Sequence, residues 1–190
     1  MAGTPSSGGP SADVGSGEQF DRIDILVNNA GIARRAPAES MGKSEWDEVI
    51  AVDLSGAFFC AQAVGRVMIN QRSGRIINMA SIAGQVGLKT GNANYAAAKG
   101  GLMALTRTLA VEWAKHNVLV NAVAPAQFRT PLTEGFLRKP EILSYFLSNI
   151  PLGRIGDPHE IVGPVVFLAS DAATMITGVT LNVDGGNVAQ

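Results

Sequence analysis

Cysteine is almost missing from this chain. One residue, Cys60, occurs in 190, so an internal disulfide and a cysteine metal cluster are both excluded. In Phe58-Phe59-Cys60-Ala61 it reads as a buried core thiol. Histidine is nearly as scarce: His116 and His159 have no ligand-type spacing, and no metal site is expected. Charged residues make up only 16%, with a net charge of -1 and no lysine/arginine block. Nothing therefore suggests a nucleic-acid partner or an anionic membrane surface. No uninterrupted apolar run reaches the ~18 residues of a spanning helix, and the N-terminus lacks the hydrophobic core of a signal peptide. The expected location is cytoplasmic, with no membrane partner. Also missing is a Gly-x-x-x-Gly-x-Gly or Gly-x-Gly-x-x-Gly between a strand and a helix, the usual phosphate-cradling turn. Residues 1–17 are rich in glycine, serine and proline instead, and read as a disordered tail.

What is present from residue 18 to 190 is one domain's worth of chain with 46% hydrophobic residues, enough for a real core. Three short apolar runs are closed by small or polar residues: Asp24-Ile-Leu-Val-Asn28-Asn29-Ala30-Gly31, Gly74-Arg-Ile-Ile-Asn-Met-Ala-Ser81 and Val118-Leu-Val-Asn-Ala-Val-Ala-Pro125. Each is followed by helical periodicity, which predicts repeated β-α units: an α/β fold, a Rossmann-like parallel sheet with flanking helices. Ligands bind such sheets beyond the carboxyl ends of the strands, where Asn28, Ser81 and Pro125 fall. Ser44 is a candidate cap for a helix with Trp46, Val49, Ile50, Leu54, Phe58 and Val64 at core spacing. A second long helix is expected from Asn94 to about His116, a shorter one over Glu141–Ser148, and a late one starting at Pro158.

At the start of the second long helix, Tyr95 and Lys99 are four residues apart and share a helix face. A free phenol titrates near ~10, and a neighbouring cation favours the phenolate. At ~4 Å and an effective dielectric of ~20 the attraction is about 4 kcal/mol. That is roughly 3 pKa units before the cost of desolvation. Lys99 would thus bring Tyr95 close to working pH, where general acid/base catalysis is most efficient. Ser81 would hold a carbonyl or hydroxyl oxygen by a hydrogen bond.

With these residues in place, the chain resembles the classical short-chain dehydrogenase/reductase family from about residue 18 to 188. The resemblance implies NAD or NADP as cofactor, a small-molecule alcohol or ketone as substrate, and a homodimer or homotetramer built on the two long helices. It implies catalytic roles for Ser81, Tyr95 and Lys99, with Lys99 also holding the nicotinamide ribose. Asn28-Asn29-Ala30-Gly31 matches the strand end bordering the cofactor ribose, Pro125, Ala126 and Thr130 match the segment along the nicotinamide, and Val183-Asp184-Gly185-Gly186 matches the C-terminal strand and turn.

Three departures carry consequences. The family's usual Asn is Asp53 here, counted with the catalytic set; its charge would oppose tyrosinate formation. Ala126 stands for a glycine and would be strained if the turn needs positive φ. By resemblance the chain also lacks the family's first β-α-β region, so it is expected to bind NAD(P) weakly and to leave Ile25-Leu26-Val27 as an open sheet edge. Ile32-Ala-Arg34-Arg35-Ala-Pro37 and Ile150-Pro-Leu-Gly-Arg154 resemble the gluconate 5-dehydrogenase-like branch, with Arg35 the candidate for a substrate carboxylate. Two alternatives remain beside it: Arg34 and Arg35 as solvated loop charges, and the 3-oxoacyl thioester branch, which shares most of the motifs. A functional alternative is a catalytically silent fragment acting only as an interaction surface, or an incomplete reading of a longer enzyme.

Overall fold

The computed structural model describes residues 22–190; the tail expected over 1–17 lies outside the described residues. Four strands, β1 (Ile25–Asn28), β2 (Gly74–Met79), β3 (Val118–Pro125) and β4 (Thr180–Val183), form one parallel sheet in the order β1-β2-β3-β4. In register, Asn28 lies beside Asn78, Asn78 beside Ala122, and Ala124 beside Asn182. The strand ends are therefore level, and the loops leaving them open on one side of the sheet.

Helices cover both faces. Helix α1 (Lys43–Ile50) runs through a π-helical turn (Ala51–Gly56) into α2 (Ala57–Gln71), and α3 (Ala93–Trp113) lies beside them. Met68, Leu109 and Ala110 of α2 and α3 meet Ile76, Val118 and Val120 on one face. Leu168 of α6 (Val162–Ala169) meets Ile77 and Val123 on the other. Because strands alternate their side chains, a sheet buried on both faces needs an unbroken apolar run. Residues Val118–Ala124 are all buried, which is why that run was so legible. Two shorter helices, α4 (Pro131–Leu137) and α5 (Pro140–Ser148), form a small cap after β3 through Leu137, Phe146 and Ile150.

The two long helices approach closely at Gly65, where a Cβ would stand 2.7 Å from the Trp113 ring. The buried asparagines of β1 and β2 are satisfied in a chain. Asn28 Nδ2 donates to Ala57 O (3.1 Å) and Asn78 Oδ1 (2.9 Å), Asn78 Nδ2 donates to Thr106 Oγ1 (2.9 Å), and Thr106 donates to Leu102 O. Such a ladder fixes the height of α3 against β1 and β2.

Several expectations need correction. Cys60 is exposed, not a core thiol, because residue 60 falls on the outward side of α2 next to Phe59, itself 60% exposed. Ser44 lies inside α1; the cap is Gly42, whose N–H donates to Glu45 Oε2 at 2.7 Å. Trp46 is exposed while Val49 of the same stripe is fully buried, so the stripe is narrower than its periodicity implied. The continuous helix over 43–71 is long and apolar enough, by length and composition, to cross a membrane; it holds no unbroken apolar run of that length because Asp53 and Arg66 interrupt it. Its buried residues Val49, Ala57, Ala61 and Met68 face the sheet and α3, as those of a packed core helix do. Ala126 carries no strain: among the described residues only Arg72 and Asn117 combine a side chain with positive φ. Its N–H instead donates to Val183 O at 3.1 Å.

β1 is an edge among the described residues, as the open-edge expectation held. Leu26 packs into the α2/α3 face, but Ile25 and Val27, pointing the other way, are 49% and 40% exposed.

Candidate active site

Lys99 sits in the second turn of α3 with its side chain only 4% exposed. Its Nζ donates to Met79 O at 2.9 Å and lies 3.1 Å from Asp53 Oδ2, so strand β2 and the π turn hold it from two sides. Asp53 is fully buried, and its Oδ1 accepts from Ile32 N at 2.8 Å. The π turn matters here, since a wider turn within a helix redirects the side chains it carries. Gly31 leaves the space open: a Cβ there would be 3.0 Å from Asp53 Oδ2 and 3.4 Å from Lys99 Nζ.

Tyr95 occupies the first turn of α3, positioned by Asn94. Asn94 Oδ1 accepts from Tyr95 N at 2.7 Å and Asn94 Nδ2 donates to Glu45 O at 2.9 Å, tying the helix start to α1. The Lys99 ammonium lies 5.4 Å from the Tyr95 ring centroid. Ser81, just past β2, accepts from Ala83 N at 3.2 Å and so caps the short turn Ile82–Gly84.

Two hollows meet at Tyr95. The larger, about 300 Å³, is lined by Asn29, Gly31, Met79, Lys99, Pro125, Ala126 and Thr130 among others. The smaller, about 60 Å³, is lined by Ser81, Arg35, Asn92, Gln127, Phe136 and Phe146 with Tyr95. The structure thus brings Ser81, Tyr95, Lys99, Gly31, Pro125, Ala126, Thr130 and Arg35 around one place. Asn28 and Ala30 are not among the lining residues; Asn28 faces the sheet through the ladder described above, and Asn29 takes the position at the cavity wall. Asn92 and Gln127 were missed by sequence reasoning, and Asn29 was read only as part of the Asn28–Gly31 motif. Position 29 carried a signal, the second amide of the Asn-Asn pair, whereas Asn92 and Gln127 lie in loops without periodicity.

The two loop arginines differ. Arg34 Nε pairs with Glu48 Oε2 at 2.9 Å on the surface. The Arg35 guanidinium stacks 4.1 Å above the Phe136 ring, a cation–π arrangement that holds it at the smaller hollow. Burial pulls its pKa below the usual arginine value, with the nearby Tyr95 pulling the other way.

The electrostatics overturn one expectation. Tyr95 is not brought down toward neutrality: burial pushes its phenol above its ordinary value, Asp53 adds to the rise, and Ser81 and Arg35 oppose it. Lys99 is 5.4 Å from the ring and its charge is shared with Asp53, so its pull on the phenol is spent on the carboxylate.

Comparison with known proteins places this geometry. A protein-family profile described as enoyl-(acyl carrier protein) reductase matches residues 15–187. The chain is 48% identical over 172 residues to a 3-oxoacyl-[acyl-carrier-protein] reductase of Synechocystis sp., covering 90% of this chain and 67% of that protein. It is 42% identical over 164 residues to a 5-keto-D-gluconate 5-reductase of Escherichia coli K12, covering 86% of this chain and 64% of the relative. Among solved structures it is similar to a gluconate 5-dehydrogenase from Burkholderia cenocepacia in complex with NADP and tartrate. There the TM-score is 0.89 and the identity 37%, over 92% of this chain and 68% of the other. The chain spans about two thirds of the length of these relatives.

Proposed function

The chain belongs to the short-chain dehydrogenase/reductase family, and from that premise we propose an NAD(P)-dependent oxidoreductase that interconverts a small secondary alcohol and its ketone, with a sugar acid as the substrate class. One observation carries the reading: Tyr95 stands on the shared wall of the two hollows, with the Lys99 ammonium on one side and Ser81 and Arg35 on the other.

The larger hollow fits a nicotinamide and its ribose in character. Gly31 leaves its floor open, Pro125, Ala126 and Thr130 wall one side, and Lys99 and Tyr95 offer polar atoms for ribose hydroxyls. Bound there, the nicotinamide would supply or take the hydride. The residues of the chain do the rest. Tyr95 gives or takes the hydroxyl proton, Lys99 holds the ribose and the local field, Ser81 orients the substrate oxygen, and Asp53 fixes Lys99. Arg35, held by Phe136, would receive a carboxylate in a planar, charge-assisted pair. Similarity to two gluconate-type enzymes, one crystallised with tartrate, supports the sugar-acid reading. The thioester reading draws on the 48% identical 3-oxoacyl reductase, and Arg35 at the substrate hollow argues against it.

Residues 18–190 would act as one catalytic domain, cytoplasmic, associating through the exposed apolar positions Phe59 and Val111 of the long helices as a homodimer or homotetramer. Binding of NAD(P) would be weak, since the sequence offers no glycine-rich turn for the pyrophosphate. The test is NADPH- and NADH-dependent reduction of 5-keto-gluconate beside a 3-oxoacyl thioester, at high cofactor, with Arg35→Met. Reduction of the keto acid, with KM raised by Arg35→Met and thioester turnover unaffected, is the expected result. Turnover of neither by folded protein would favour the catalytically silent reading.

A further inference from the structure

Asp53 is an expensive residue to bury. Its side chain is completely inaccessible, one oxygen accepts from Ile32 N, and the other, Oδ2, has no hydrogen-bond partner although Lys99 Nζ lies 3.1 Å away. A buried carboxylate is tolerated when an opposite charge offsets its desolvation. Lys99 is that charge, so the ammonium beside Tyr95 is already half of an ion pair.

We propose that Asp53 is a positioning residue which, by pairing with Lys99, keeps Tyr95 a neutral phenol at neutral pH and so sets the site to reduce carbonyls there, with alcohol oxidation emerging only under alkaline conditions. The proposal rests on the oxidoreductase reading above and adds the direction in which the site is poised. In reduction the carbonyl carbon gains the hydride of the reduced nicotinamide and the carbonyl oxygen gains the Tyr95 proton. The resulting tyrosinate is then reprotonated from solvent. A phenol is the form this requires, whereas oxidation requires the tyrosinate.

The groups around Tyr95 are accounted for from every element that faces it. Its own helix brings Lys99, the π turn brings Asp53, the loop after β1 brings Arg35, and the end of β2 brings the Ser81 hydroxyl; α4 and α5 contribute only the uncharged Leu132, Thr133, Phe136 and Phe146. Two cations and one carboxylate face the phenol. The carboxylate is bound to the nearer ammonium at 3.1 Å; burial is the main cause that raises the phenol above its ordinary value, and Asp53 adds a smaller rise.

The chain has two tyrosines, so Tyr145→Phe leaves Tyr95 alone to report, and its ionisation can be followed by tyrosinate absorbance without cofactor or substrate. Half-titration above pH ~9.5 is expected in that background, and a fall of about one unit or more on adding Asp53→Asn or Asp53→Ala. Half-titration below pH ~9.5, or a smaller fall in variants shown to be folded by circular dichroism, overturns the proposal. The first of these needs no Asp53 variant to fold. Because no turnover is measured, failure here is separable from failure of the oxidoreductase reading, which the keto-acid assay decides.

Discussion

β1 and β3 belong to the same sheet yet live in different surroundings. β3 is covered on both faces, with Val118, Val120, Ala122, Val123 and Ala124 fully inaccessible, and it delivers Pro125 to the cavity. β1 is covered on one face; Ile25 and Val27 are open to solvent on the other. Both strands nonetheless hold their ends in register with β2. The difference teaches that the site depends on strand-end placement, which the asparagine ladder and α3 secure, and not on equal burial of every strand.

This contrast can be broken or sharpened in order of expected effect. Tyr95→Phe, at the strand-end site, should lower turnover by about 10²–10⁴-fold while leaving the circular dichroism spectrum unchanged. Within the closed region, Leu102→Ala removes a fully buried side chain and should destabilise the fold by about 2–5 kcal/mol in denaturant titrations. Gly65→Ala should cost less, about 1–3 kcal/mol, by pushing Trp113 away from α2. On the open face, Val27→Lys should change stability by no more than about 0.5 kcal/mol. It should also reduce self-association in sedimentation, because a charged edge resists pairing. If Val27→Lys unfolds the protein, β1 is covered in solution and the contrast is wrong.

The smallest effect should come from Glu160, an exposed residue just before α6. Its carboxyl is held down to about 2 by Arg154 and by the Asp157 N–H. A depressed carboxylate contributes stability above its unfolded pKa and loses it as pH falls through the folded one. Glu160→Gln should therefore melt slightly below the parent at pH 7, and the gap should close between about pH 4.5 and pH 2. The pair is fully exposed, so salt should shrink the gap as well.

How much of this could be read from the sequence follows from what each signal encodes. The β3 run is legible because a doubly covered parallel strand must be apolar almost throughout; Asn121, its one polar residue, donates to Ile176 O and accepts from Val179 N. Ser81, Tyr95 and Lys99 were legible because strand ends and a helical four-residue spacing fix where their side chains go. The exposure of Cys60 was not, since Phe58-Phe59-Cys60 is apolar on both the inward and the outward side of α2. Nor was the effect of Lys99 on Tyr95: spacing places the two on one face, but the π turn that sends Asp53 against Lys99 has no periodic signature. Asn92 and Gln127 lie in loops, where side-chain direction follows from packing that no local pattern records.

The central claim is that the nicotinamide-facing half of the site is built by the described residues. Titration of the 190-residue chain with NADH and NADPH, followed by nucleotide fluorescence, tests it most directly when Lys99→Ala is run beside it. Two or three pyrophosphate contacts at roughly 1.5–3 kcal/mol each are not provided by a glycine-rich turn, so affinity should be about a thousandfold or more below that of a complete site. Saturable binding of that weak order, abolished by Lys99→Ala, is the predicted result. Tight binding at micromolar nucleotide, or binding indifferent to Lys99, would contradict it.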